Sequence, residues 1–137
     1  MDTVLKRFFT YQFPVILWGI VILIVSSIPR LVQPFPSITF ADKLAHTAEY
    51  GIFAYLMSRA LFYTTTFQFR LVRVLLLTFI FCAIFGAGDE IHQLFIPGRT
   101  ESISDFIADL TGSILVLIVF YLRYNRQNVI LSEKIKV

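Results

Sequence analysis

The chain has 137 residues, 57% of them hydrophobic and 15% charged, with a mean hydropathy of +0.76 and a net charge of +3. A soluble domain of this size carries about 25% charged and about 45–50% apolar residues, so the composition argues against a soluble globular domain and still more against a disordered chain. The single cysteine, Cys82, excludes a disulfide framework and a Cys-based zinc site.

Four apolar runs follow one another: Tyr11 to Ile28, Leu44 to Tyr63, Leu71 to Leu94 and Phe106 to Leu122. A helix rises about 1.5 Å per residue and a bilayer's apolar core is about 30 Å thick, so each run reads as one span. The first run follows Lys6 and Arg7, as a signal peptide would, but no small-residue cleavage site follows it and it is long for a signal segment. Pro29, Pro34 and Pro36 punctuate the first connection, and Pro97-Gly98 marks a turn in the third. The expected fold is all-α, an integral membrane four-helix bundle in one domain, residues 1–137.

Orientation comes from the basic residues. Lys6, Arg7, Arg59, Arg70, Arg73, Arg123, Arg126, Lys134 and Lys136 make nine on one side, against three (Arg30, Lys43 and Arg99) on the other. The positive-inside rule then puts both termini in the cytoplasm (N-in/C-in) of a multi-pass plasma (inner) membrane protein. Tyr11, Tyr63, Tyr121 and Tyr124 fall near the inner ends, as an aromatic belt would. The basic tail is expected to touch anionic lipid of the inner leaflet; nucleic acid is not an expected partner.

The acids divide the other way. Asp2 and Glu133 are inside, whereas Asp42, Glu49, Asp89, Glu90, Glu101, Asp105 and Asp109 belong to the outer side, with His46 and His92. Topology does not require this, since acids contribute little to orientation. Asp42, His46, Glu49 and Tyr50 share one helical face at i, i+4, i+7 and i+8. Asp89 shares a face with His92 and Gln93, Glu90 is spaced to pair with Gln93, and Asp105, Asp109 and Gly112 line the start of the fourth span. The depths agree, about 3–9 Å inside the outer ends. Charges facing lipid are costly, so these groups are expected to turn inward around one cavity open to the outside. A purely structural network with Lys43 and Arg99 is the competing account, with Asp42 and Asp105 in N-cap or first-turn roles. Against it stands the surplus of acid over base.

Other features read as packing. Ser26 and Ser27 suit bonds to their own helix backbone. Cys82 and Trp18 suit the interior, and Ala83 with Ala87 and Gly86-x-Gly88 suit close helix contact. No P-loop, G-x-S-x-G or H-E-x-x-H motif is present.

In order along the chain, Asp42-Lys43-x-x-His46-x-x-x-Tyr50, Glu90-x-x-Gln93-x-x-x-Pro97-x-Arg99 and Ser104-Asp105-x-x-x-Asp109-x-x-Gly112 resemble the VanZ-like family. The combination is specific, and it covers about half the chain. The resemblance implies a small polytopic membrane protein with a cell-envelope role; the family's namesake is linked to reduced sensitivity to the glycopeptide teicoplanin, an antibiotic-resistance trait.

Three functional readings stay open. In one, the pocket binds a lipid, an envelope precursor or an amphiphilic antibiotic such as a glycopeptide, without turnover. In another, it is an active site for hydrolysis or transfer on a lipid-linked substrate, with His46 or Glu90 as general base. In the third, the cluster is structural within a partner-dependent complex. The residues expected to touch a ligand are Asp42, Lys43, Tyr50, Gln93, Arg99, Ser104, Asp105 and Asp109, with Arg99 clamping an anionic group. Oxygen-rich acids beside two imidazoles suit a divalent cation such as Mg²⁺, Mn²⁺ or Zn²⁺. The candidate ligands for it are His46, Glu49, Asp89, Glu90, His92, Asp105 and Asp109. The sequence gives no oligomeric state.

Overall fold

In a computed structural model that describes residues 3–29, 39–64, 71–99 and 102–135, the apolar runs become four long helices, and the described residues form no strand. The helices are α1 (Thr3–Ser26), α2 (Thr39–Thr64), α3 (Leu71–Gln93) and α4 (Ile103–Ile135). Asp2, Arg30, Pro34, Pro36, Arg70, Thr100, Glu101 and Lys136 lie outside the described residues, as do the side chains of Glu133 and Lys134.

Three helices differ appreciably in extent from the apolar runs, among them α2, which starts at Thr39 rather than Leu44. α1 starts at Thr3 rather than Tyr11 and ends at Ser26 rather than Ile28. α4 runs on to Ile135, well past Leu122. The reason is that hydropathy marks where a helix is wrapped in apolar surroundings, whereas backbone hydrogen bonding continues until a breaker intervenes. No Gly or Pro follows Gly112, so α4 reaches 33 residues, roughly 50 Å. Pro29 supplies the stop for α1.

Pro14 sits inside α1, where it lacks an N–H and its ring crowds the preceding turn. The helix absorbs this by widening. Phe8–Gln12 forms a single π turn, and the N–H of Phe13 reaches back five residues to the Phe8 carbonyl. The α-helix then resumes from Phe13, with Pro14 in its first turn, where a missing donor does no harm.

Three segments are long and apolar enough to cross a membrane: Thr3–Ser26, Leu71–Gln93 and Ile103–Arg126. Their outward faces carry large exposed apolar side chains, among them Ile16, Ile24, Ile84 and Val119. This is the arrangement of a protein whose solvent is lipid. α2 has 26 residues but includes Asp42, Lys43, His46, Glu49 and Arg59, and it is not among those three segments. It touches all three other helices, and α4 packs on it most closely.

Gly112 explains that closeness. A Cβ there would overlap the Thr47 backbone carbonyl, and a Cβ on Gly51 would meet the Gly112 carbonyl oxygen at 3.5 Å. The Thr47 hydroxyl donates to the Lys43 carbonyl at 2.8 Å and lies 3.3 Å from the Ala108 carbonyl of α4. The Ala83 and Ala87 expectation fails by comparison: Ala87 is exposed, and nothing lies within 4 Å of a Cβ built on Gly88. Gly86 does face the interior, toward Asp109, Phe106 and Tyr50. Small residues mark a close crossing only on the face that meets a neighbour, and Gly112 and Gly51 occupy that face.

Below the polar end, Val15, Ile22, Tyr50, Phe53, Ala54, Ala60 and Cys82 form the apolar core. Phe53 and Phe85 pack with ring centroids 4.8 Å apart. Cys82 is fully buried, the packing role expected of it.

Candidate functional site

The polar end is built by four helix termini and one turn. Ile96-Pro97-Gly98-Arg99 closes with an Arg99 N–H to Ile96 carbonyl bond of 3.1 Å and a φ of 76° at Gly98. Proline second and a positive-φ glycine third is the chemistry of a type II turn, and it returns the chain toward α4. Ser102 caps α4: its carbonyl accepts the Asp105 N–H at 2.9 Å, and its hydroxyl lies 3.3 Å from the same nitrogen. The N–H of Ser102 donates to Glu90 Oε2 at 2.7 Å. In a capping box this N–H is taken by the residue three positions into the same helix. Here that residue, Asp105, is engaged elsewhere, and a carboxylate from α3 takes the role.

Because Gly112 lets α2 and α4 touch, residues one turn above it meet. His46 Nδ1 and Asp109 Oδ1 are 2.9 Å apart, with both residues buried. Just outward, Lys43 Nζ donates to Asp105 Oδ1 at 2.8 Å and to Ser104 Oγ at 2.7 Å. Glu90 completes the inner group: one donor atom each from His46, Glu90 and Asp109 lie within 4.8 Å of one another, and all three residues are buried. A second set, Asp42, His46 and Asp105, has the same compactness nearer the surface.

Among the described residues, four buried oxygens here have no hydrogen-bond partner: Glu90 Oε1, Asp109 Oδ2, Asp89 Oδ1 and the Tyr50 hydroxyl. Burying an unpaired polar group costs about 1–3 kcal/mol, more when it is charged. Two of these four oxygens belong to the compact set His46, Glu90 and Asp109.

The sequence-selected residues divide into those that converge and those that do not. Asp42, His46, Glu49, Asp89, Gln93 and Arg99 line one small cleft of about 60 Å³, which Val25 and Ser26 of α1 close. Gln93 donates to Asp89 at 3.2 Å, not to Glu90 as its spacing suggested. Glu90 had already turned toward Ser102. His92 stands apart, 2.9 Å from the Ser27 hydroxyl, and it is in neither compact set. Arg99 was expected to clamp an anionic group or to join a structural network with the acids. Its Nη2 and Nε donate to the Val25 and Ile28 carbonyls at 2.9 and 3.3 Å, and it borders the cleft shared by Asp42, Glu49 and Asp89. The last carbonyls of a helix lack intrahelical donors and carry partial negative charge, which suits a guanidinium.

The contribution of α1 was not seen in the sequence. Besides its terminal carbonyls, Trp18 donates its indole N–H to the Glu49 carbonyl at 2.9 Å. Apolar runs carry no signal for which backbone carbonyl a distant side chain will cap. Ser26-Ser27 before Pro29 marked the end of a helix, but not what would dock there.

A second, larger concavity of about 280 Å³ opens laterally between α3 and α4. Its walls are apolar, including Ile91, Leu94, Ile103 and Phe106, with Glu90 and Ser102 also among the lining residues. Glu90 thus belongs both to the compact buried set and to the lining of this groove.

No curated protein and no solved structure gives a significant match to this chain. A family model described as VanZ/LLP1 does match, over residues 4–124, which takes in α2, α3, nearly all of α1, α4 as far as Tyr124 and every residue of the polar end. The chain is therefore a member of the VanZ/LLP1 family.

Proposed function

We propose that the polar end is a binding site at the outer face of the plasma membrane, in which a divalent cation held by His46, Glu90 and Asp109 recruits the anionic headgroup of a lipid-linked envelope precursor or an amphiphilic antibiotic. The observation that carries this reading is the compact buried set of those three residues, two of them with an unpartnered carboxylate oxygen. Mixed imidazole and carboxylate donors suit Zn²⁺ or Mn²⁺. The lateral groove beside Glu90 supports a ligand with an acyl or prenyl chain, since its walls are apolar and it adjoins a member of the compact set. Lys43 supplies positive charge at the rim. On this reading α2 is the fourth span, its polar residues turned inward, and both termini are cytoplasmic.

Turnover is the second reading. The His46–Asp109 contact favours it, because a carboxylate on one ring nitrogen orients an imidazole for base chemistry at the other. Among the described residues no hydroxyl or thiol is hydrogen-bonded to His46, so a covalent nucleophile is not supported, and water activated by the cation or by Glu90 would be the attacking group.

The test is metal analysis of the purified protein together with native mass spectrometry for retained lipid. About one divalent ion per chain, lost together with the lipid on chelation, is the expected result. A metal-free protein that keeps its lipid would refute the cation's part.

A further inference from the structure

The opposite end of the bundle carries a concavity of its own. Among the described side chains, that end holds Lys6, Arg7, Arg59, Arg73, Arg123 and Arg126 and no carboxylate. Between α2 and α4 lies a cavity of about 180 Å³, walled by Tyr55, Arg59, Phe62, Tyr63, Arg123 and Tyr124. Its walls are braced by rings. Tyr11 stacks on Tyr63 at 5.0 Å, and Phe62 meets Tyr124 edge-on at 4.9 Å. The Arg59 guanidinium sits 5.5 Å from the Tyr11 ring centre and 5.7 Å from that of Tyr55. Aromatic faces therefore hold a half-buried cation in place.

Two guanidinium groups on one cavity repel each other, and one of them, Arg59, is partly withdrawn from water, where arginine usually has a partner. Among the described residues neither Arg59 nor Arg123 pairs with a carboxylate. We propose that this cavity binds the phosphate ester of an anionic phospholipid headgroup. A guanidinium presents parallel N–H donors matched to phosphate oxygens, and the tyrosine hydroxyls add neutral donors. The place argues for a lipid rather than a free anion. Val119, Tyr121 and Leu122 are exposed beside the cavity, where apolar helix surface gives way to basic side chains. Tyrosines collect at such a boundary, and basic pockets between helices suit anionic headgroups.

The full-length protein in neutral detergent should be titrated with phosphatidylglycerol and with phosphatidylcholine and read by native mass spectrometry. Phosphatidylglycerol should be retained in preference. Arg59→Gln and Arg123→Gln should each weaken it by about tenfold or more, the effect of losing a charge-assisted contact. Arg126→Gln, on an exposed residue outside the cavity, should leave affinity unchanged. If Arg59→Gln fails to fold, Arg123→Gln carries the test, because Arg123 is exposed. Equal losses in Arg123→Gln and Arg126→Gln would show diffuse surface charge and overturn the site, as would the absence of a headgroup preference. Displacement of the lipid by an equal concentration of inorganic phosphate would overturn the lipid assignment.

Discussion

His46 and Asp109 meet across the α2–α4 crossing at 2.9 Å, and neither is open to solvent. Their contact depends on the glycine one turn away. Asp109→Ala removes the imidazole's partner and leaves a buried polar ring, a change that costs about 3–5 kcal/mol where it strands a buried charge. Asp109→Asn keeps an acceptor for an Nδ1–H and should cost only about 1 kcal/mol. Thermal midpoints in detergent should therefore fall in the order wild type, Asn, Ala. If the Ala variant is as stable as wild type, the contact does not hold α2 to α4.

Gly112 and Gly88 form a controlled pair of helix glycines. Gly112→Ala drives a Cβ into the Thr47 carbonyl, so α2 and α4 must separate. Gly88→Ala meets open space and should gain about 0.5–1 kcal/mol from helix propensity alone. Opposite shifts in the thermal midpoint are expected. A neutral Gly112→Ala would mean that the helices cross elsewhere.

The helices could be read from the sequence because long apolar runs have few alternatives in lipid, and the family pattern fixed which polar residues to watch. Convergence of Asp42, His46, Glu90, Asp105 and Asp109 followed from helical period and depth. What escaped is of a different kind. Arg99 turned to carbonyls of α1 because a helix end offers backbone acceptors that no side-chain pattern records. Glu90 and Gln93 were spaced for each other, but each had a competitor: the orphan N–H of Ser102 for one and Asp89 for the other. Spacing shows which groups can meet; the choice among several satisfied pairings is made by tertiary contacts.

Arg99→Lys tests that reassignment. The guanidinium fork spans two carbonyls, at Val25 and Ile28, and an ammonium is a point charge that cannot reproduce the geometry. Loss of one or both bonds should cost about 1–3 kcal/mol. The thermal midpoint should drop, and exchange of backbone amides near the end of α1 should quicken. Unchanged stability with lost ligand binding would return Arg99 to the role of an anion clamp.

Orientation is checked by a fusion. The basic end proposed to be cytoplasmic includes Arg59, Arg73, Arg123 and Arg126. A reporter active only outside the cytoplasm, joined after Val137, should be silent, while the same reporter joined after Gly98 should be active. The reverse pattern would invert the molecule and place the acidic cluster inside.

Glu90→Gln separates binding from architecture at the polar end. Oε2 of Glu90 accepts the Ser102 N–H at 2.7 Å, and a glutamine carbonyl can accept the same bond, so the cap of α4 should survive. Oε1 has no partner among the described residues, and it is this oxygen that a cation would claim. An amide is a weaker ligand for a divalent ion because it carries no charge. The variant should therefore fold with a thermal midpoint close to wild type in the presence of chelator. With metal added, wild type should be stabilised, by about 2.7 kcal/mol at a hundredfold excess over the dissociation constant, and Glu90→Gln should gain much less. Equal stabilisation of both proteins by metal would remove Glu90 from the ligand set. A collapse of stability in chelator alone would assign Glu90 to the α4 cap and leave the cation without its third donor.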